Sequence, residues 1–208
     1  MEKIQDIGGE LIAEAAYAAG GEKFTQVLGQ WESLAARLSQ KRFGRAITDV
    51  FADTIAAYDM LEEIVHRDDE LSINAFKFMA WYDLYGTKVL EAADKIYFQE
   101  FRAFMAPFAK KRTDHRTEYD IQDYTRSMEL ACYGRRFFIT DQGSMGLAPP
   151  RSQKGDPIVF FPGGLAPFVI RDCGNEIYAF VGDCFLYDFD VYQPFEDNEK
   201  PMREFVLR

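Results

Sequence analysis

Few residues of this chain have the types and spacing that chemistry needs. Glu63-x-x-His66 sets a carboxylate and an imidazole on one helix face, as in half of a di-iron carboxylate site. A whole site needs a second such pair and two more carboxylates on facing helices. The other histidine, His115, sits in a polar stretch without that pattern. His66, near Glu62 and Asp69, therefore reads as a helix-end histidine, and Asp68-Asp69-Glu70 as a solvated turn. No metal is expected. A phosphate-cradling Gly-rich loop, a nucleophile elbow, His-Glu-x-x-His and Cys-x-x-Cys are all missing from the sequence, so no cofactor is expected either. What remains is arginine and aromatic chemistry. Arg135, Arg136 and Arg171 fall in β-type runs, where alternation turns one of Arg135 and Arg136 inward. An inward guanidinium has Asp141, Asp156 and Asp183 as local partners.

These groups must be positioned by two kinds of element. Residues 2–133 read as helical. Ile4, Ile7 and Leu11 fall at helical spacing, and Gly20-Gly21 ends that segment. Phe24, Val27, Leu28, Trp31, Leu34, Ala35 and Leu38 make an apolar stripe, and Ile47, Val50, Phe51, Thr54, Tyr58, Leu61 and Val65 make another. The span from Ala75 to Phe108 carries aromatics on more than one face, Trp81, Tyr82 and Tyr85 among them, as a segment surrounded by protein or lining a cavity would. A last helix near Asp120 turns Ile121, Tyr124, Met128 and Ala131 inward. From Gly134 the pattern changes to short apolar runs ended by Gly and Pro. Strands are predicted to start near Arg135, Met145, Pro157, Pro167 and Ile177, with Phe205-Val206-Leu207 returning as an edge strand. The expected fold is α+β: a helical region over 1–133, packed on a small antiparallel β-barrel or sheet within 134–208 as one compact unit.

Composition narrows the partners. Thirty-four acidic residues against 24 basic give a net charge of −10, which disfavours nucleic acid and anionic membrane surfaces. No apolar run is long enough for a membrane span, Met1-Glu2-Lys3 opens no signal peptide, and three cysteines without metal spacing fit a reducing compartment. A cytoplasmic protein is expected. Cys173 and Cys184 should lie at opposite ends of a hairpin turning at Gly174-Asn175, too far apart to bridge.

The order Gly134-Arg135-Arg136-Phe137-Phe138-x-Thr140-Asp141-x-Gly143-x-x-Gly146-Leu147, then Gly155-Asp156-x-x-Val159, Gly163-Gly164-x-x-Pro167-Phe168-Val169-x-Arg171 and Tyr178-x-x-Val181-Gly182-Asp183-Cys184, resembles the C-terminal region of fungal heterokaryon-incompatibility (HET) proteins. The family's N-terminal HET domain has no counterpart in these 208 residues. The resemblance implies two functions. One, shared with stand-alone HET-like chains of fungal biosynthetic clusters, is a cofactor-independent cyclase of Diels–Alder type acting on a hydrophobic terpenoid-like metabolite. The other is a non-enzymatic interaction or regulatory module. For the cyclase, a pocket belongs between the aromatic helix and the sheet. There Arg136, Tyr82 and Arg171 would polarise a substrate carbonyl, and Trp81, Tyr85 and Phe138 would form apolar walls.

Overall fold

A computed structural model describes residues 1–11, 22–38, 47–57, 77–78, 81, 118–187 and 204–208. They form an α+β molecule. Its helices are α1 (Glu22–Ala35), α2 (Ile47–Ile55) and α3 (Glu118–Cys132), with helical turns at 77–78 and 81. Its strands are β1 (Glu2–Leu11), β2 (Arg135–Thr140), β3 (Met145–Ala148), β4 (Pro157–Val159), β5 (Phe168–Asp172), β6 (Ile177–Asp183), β7 (Phe185–Leu186) and β8 (Val206–Leu207). The strands expected from the Gly and Pro punctuation are present, and β8 returns at the sheet edge, parallel to β6. The pair Glu63/His66, the acidic run 68–70, His115 and the tyrosines at 82 and 85 lie outside the described residues.

The first segment corrects the helical reading. Residues 2–11 are a strand, paired antiparallel with β2 over most of its length and with β4 at Glu2 and Lys3. The register slips between Ile4 and Asp6 and again between Ile7 and Glu10. Each slip is a bulge, and a bulge breaks the two-residue alternation of side chains. Ile4 and Ile7, three apart, therefore both pack into the same core. Their spacing imitates a helical stripe for that reason. The Gly8-Gly9 pair is a point of close approach: a Cβ on Gly8 would collide with the Trp31 indole of α1.

The strand order is β7-β3-β2-β1-β4-β5-β6-β8. By hydrogen bonding the sheet is open, with β7 and β8 at its edges. Yet Cys184 alone separates β6, near one edge, from β7 at the other. The sheet must therefore curl until these ends meet, and β6 runs through Cys184 into β7 as one strand that changes partners, from β5 to β3. The interior of the curl confirms the geometry. Ile4 of β1, Phe138 of β2, Ala148 of β3, Ile158 of β4, Val169 of β5 and Leu186 of β7 meet in one buried cluster. Gly146 makes room for it, because a Cβ there would collide with the Phe185 carbonyl and crowd the Phe138 ring.

The helices cover the outer face of β2 and β3. Alternation sends Phe138 into the barrel and Phe137 and Ile139 outward, where with Met145 and Leu147 they join Phe24, Leu28, Trp31, Phe51, Phe78 and Trp81 in the main core. Phe137 stacks on Trp31 with centroids 6.0 Å apart and meets Phe51 edge-on at 5.3 Å. α3 also closes the end of α2. The Tyr124 hydroxyl donates to the Ala52 carbonyl at 3.0 Å and the Cys132 thiol to that of Ile55 at 3.1 Å, satisfying acceptors that a helix C-terminus leaves unpaired.

Candidate functional site

Two of the residues nominated from sequence come together at one end of the barrel, around the loop Pro149–Asp156. Arg171, from β5, forms a two-pronged ion pair with Asp156: Nε donates to Oδ1 at 3.0 Å and Nη2 to Oδ2 at 2.8 Å. Asp156 also accepts the Gln153 amide at 2.7 Å, so its carboxylate is fully engaged. The ion pair in turn raises the Arg171 pKa and keeps the guanidinium charged. Arg171 further donates to the Arg151 carbonyl at 2.7 Å.

Arg136 grips the next carbonyl of the same loop, that of Ser152, through Nη1 at 2.8 Å, and the Gly8 carbonyl through Nε at 2.8 Å. Gly8 and Gly9 lie within the second bulge of β1, where the ladder leaves carbonyls without partners. Arg136 takes one of these, and the Trp31 indole N–H takes that of Gly9 at 2.9 Å. Arg135 points the other way and joins Asp183 at the end of β6, through its carboxylate and its carbonyl, both at 2.6 Å. It thereby staples β2 to the point where β6 passes into β7. The expected pairing of strand arginines with local aspartates holds for Arg135 and Arg171.

The nominated aromatics lie elsewhere. Phe138 is inside the barrel, and Trp81 is in the helical core, 5.8 Å from Phe24 and 6.1 Å from Phe78 by ring centroids. Phe138 and Trp81 belong to different packed clusters. Among the described residues no group of histidine, cysteine or acidic side chains is arranged to hold a metal. The cysteines are free: Cys132 and Cys184 are buried and Cys173 is exposed. Burial pushes the Cys184 thiol up to about 12, so it is no thiolate nucleophile at neutral pH.

Two polar groups escaped the sequence reading. Glu32 of α1 is fully buried, with no hydrogen bond to either carboxyl oxygen from the described residues, and desolvation raises its pKa well above the ordinary carboxylate value. Its signal was positional, since Leu28, Glu32 and Ala35 share one helical face. The Ser152 hydroxyl is likewise buried without a partner among the described residues. No local pattern marks it; its loop is tied to Arg136 and to β1, which lie far from it in sequence.

The geometry defines a class: a small, helix-covered β-barrel whose interior is filled by side chains and whose rim is tied by arginines. The sequence agrees. The chain belongs to the family described as the Het-6 β-barrel domain, whose model matches residues 45–190. It is 28% identical over 130 residues to heterokaryon incompatibility protein 6, OR allele, of Neurospora crassa, a match covering 59% of this chain and 18% of that protein. The chain thus spans less than a fifth of the curated relative. No solved structure matches it.

Proposed function

We propose that this chain is a non-enzymatic recognition or regulatory module of the heterokaryon-incompatibility type, acting in the cytoplasm. The observation that carries this reading is the use made of the polar groups. Arg171 is neutralised by Asp156, and Arg136 and Trp31 are tied to the carbonyls of a bulged strand. The described polar side chains thus chiefly hold a barrel in shape, as a domain whose surface is its function requires. Membership of the Het-6 β-barrel family supports the same reading. Among the described residues no helix is long and apolar enough to cross a membrane.

The cyclase reading, with Arg136, Tyr82 and Arg171 as donors and Trp81, Tyr85 and Phe138 as walls, has less to rest on. Trp81 and Phe138 stand in separate cores, and the donors of Arg171 face Asp156 and a backbone carbonyl. The test is a segment exchange: residues 45–190 replace the matching segment of the Neurospora protein, and incompatibility is scored as growth arrest on fusion with a tester strain. Altered partner specificity with the protein still expressed is the expected result. An unchanged incompatibility spectrum, also seen when the segment is deleted, would remove the module from recognition.

A further inference from the structure

We propose that the edge of β6 is a strand-accepting site, at which β8 is a replaceable occupant and a partner protein adds an extended segment anchored by an aromatic residue. The proposal rests on the recognition reading and names the surface and the kind of partner that reading needs. Three observations meet at this edge. First, β8 fills only part of it. β6 runs from Ile177 to Asp183, whereas β8 pairs with Ile177 and Tyr178 alone, and the Arg208 amide donates to the Tyr178 carbonyl at 2.9 Å. The next position of that ladder along β6 is Phe180, which β8 does not reach and whose side chain is left exposed. Second, β8 is held by one anchor. Phe205, just ahead of it, stands edge-on to Tyr178 and to Phe161, with ring centroids 5.1 and 6.5 Å away, while Val206 and Leu207 stay exposed. Third, apolar exposure gathers here. Of the seven large hydrophobic residues exposed among the described residues, Phe180, Val206 and Leu207 lie on this strand pair, and Leu165 lies on the loop between Phe161 and Phe168.

A sheet edge is a template for another strand: main-chain hydrogen bonds supply affinity and side-chain slots supply specificity. A two-residue strand with exposed side chains opens locally, without unfolding the barrel. The chain's own segment defines what fits. It runs parallel to β6, with an aromatic residue between Tyr178 and Phe161 and an aliphatic one two positions on, beside Tyr178. Charge favours a different residue ahead of the aromatic. Asp172 and Glu176 are exposed at the turn into β6, and the parallel course of β8 brings Glu204 to that same end. A partner segment with Lys or Arg there replaces acid beside acid with an attractive pair, in a chain of net charge −10. A longer segment also continues along β6 to Phe180.

The experiment uses the full chain and a fluorescent peptide of residues 202–208 that carries Glu204→Lys and is lengthened by Thr-Val, with binding read as anisotropy. Phe205→Ala in the protein removes the anchor of β8, so this chain should bind the peptide saturably and about tenfold or more tightly than wild type, whose own strand competes. A peptide with Ala in place of its Phe should not bind, and one that keeps Glu204 should bind more weakly, by a margin that salt reduces. A folded Phe205→Ala chain without saturable binding, or equal binding of the Phe and Ala peptides, overturns the proposal. Hydrogen exchange of the wild type decides the matter even where that variant unfolds. The Arg208 amide should exchange much faster than amides of the β5–β6 ladder, and exchange as slow as theirs overturns the proposal, because a strand that opens only with the whole barrel cannot be replaced. A wild-type dimer in sedimentation that Phe205→Ala abolishes would give the slot to a second copy of this chain and also overturn it. Failure of the recognition reading is distinguishable: peptide binding together with an unchanged incompatibility spectrum in the segment exchange upholds the strand site and removes only its role in incompatibility.

Discussion

The arc of the barrel under the helices and the arc opposite it are built from the same kind of strand and end up in different solvents. On the covered arc, every residue of β3 and the last four of β2 are buried, because one face fills the barrel and the other meets α1, α2 and α3. On the far arc, Tyr178 and Phe180 of β6 are two residues apart and so share the outer face, yet Tyr178 is buried against Phe205 and Phe180 is left 51% exposed. Phe161, Phe168, Tyr178 and Phe205 form only a satellite cluster there, under the two-residue strand β8. The comparison teaches that a strand's stability contribution depends on what lies on its second face. An outward-facing aromatic residue on the covered arc belongs to the main core, and one on the far arc sits on a half-wet surface.

The strongest way to break this comparison is Phe137→Ala against Phe180→Ala. Phe137 is fully buried between Trp31 and Phe51, and its truncation should cost about 3–5 kcal/mol. The same change at Phe180 should stay within about 0.5 kcal/mol. Urea unfolding of both variants measures the difference, and equal losses would mean that the two arcs are not distinguished by their cover.

A second contrast concerns the rim. Asp156 is buried, with its side chain 5% exposed, so Arg171→Met strands a carboxylate and should cost about 3 kcal/mol. Arg135→Met leaves an Asp183 side chain that is 58% exposed, and that ion pair should contribute about 1 kcal/mol or less. If the two substitutions lowered the urea midpoint equally, burial of the acid would not be what sets the worth of a rim pair.

Glu32 sharpens the picture of the covered arc itself. Replacing a buried carboxyl that has no hydrogen-bond partner among the described residues by Met should raise stability by about 1–3 kcal/mol. The pH dependence has a definite sign. The folded state holds this proton more tightly than the unfolded chain, so folding binds protons. Stability is then greatest at and below the ordinary carboxylate range and falls as pH rises from there toward the raised folded pKa. Glu32→Met should flatten that fall. A stability–pH profile over the same range, identical in wild type and variant, would show that Glu32 finds a partner in solution.

The smallest effect is expected for Tyr124→Phe, which removes the bond to the Ala52 carbonyl and should cost about 1 kcal/mol, read as a lowered urea midpoint. No loss would mean that water or another donor caps α2.

Much of this molecule was legible before any coordinates. β2, β3 and β5 are short and end at or beside Asp141, Pro149 and Asp172, so local turn chemistry marked much of the strand region. The stripes Phe24-Leu28-Trp31 and Ile47-Val50-Phe51 gave α1 and α2 by periodicity alone, and Tyr124 and Met128 gave the inner face of α3. The pairing of Arg171 with Asp156 was within reach because both lie close in sequence and strand alternation limits where they point. Three things were decided only by tertiary structure. β1 is a strand because its bulges let Ile4 and Ile7 share the barrel interior, and a bulge is defined by a partner strand more than 120 residues away. Glu32 is buried because α1 turns that face inward, at a cost its own neighbours in sequence do not reveal. The barrel curls because β6 and β7 are one strand shared between distant partners. In each case the deciding contact joins residues far apart along the chain, and local propensity contains no term for it.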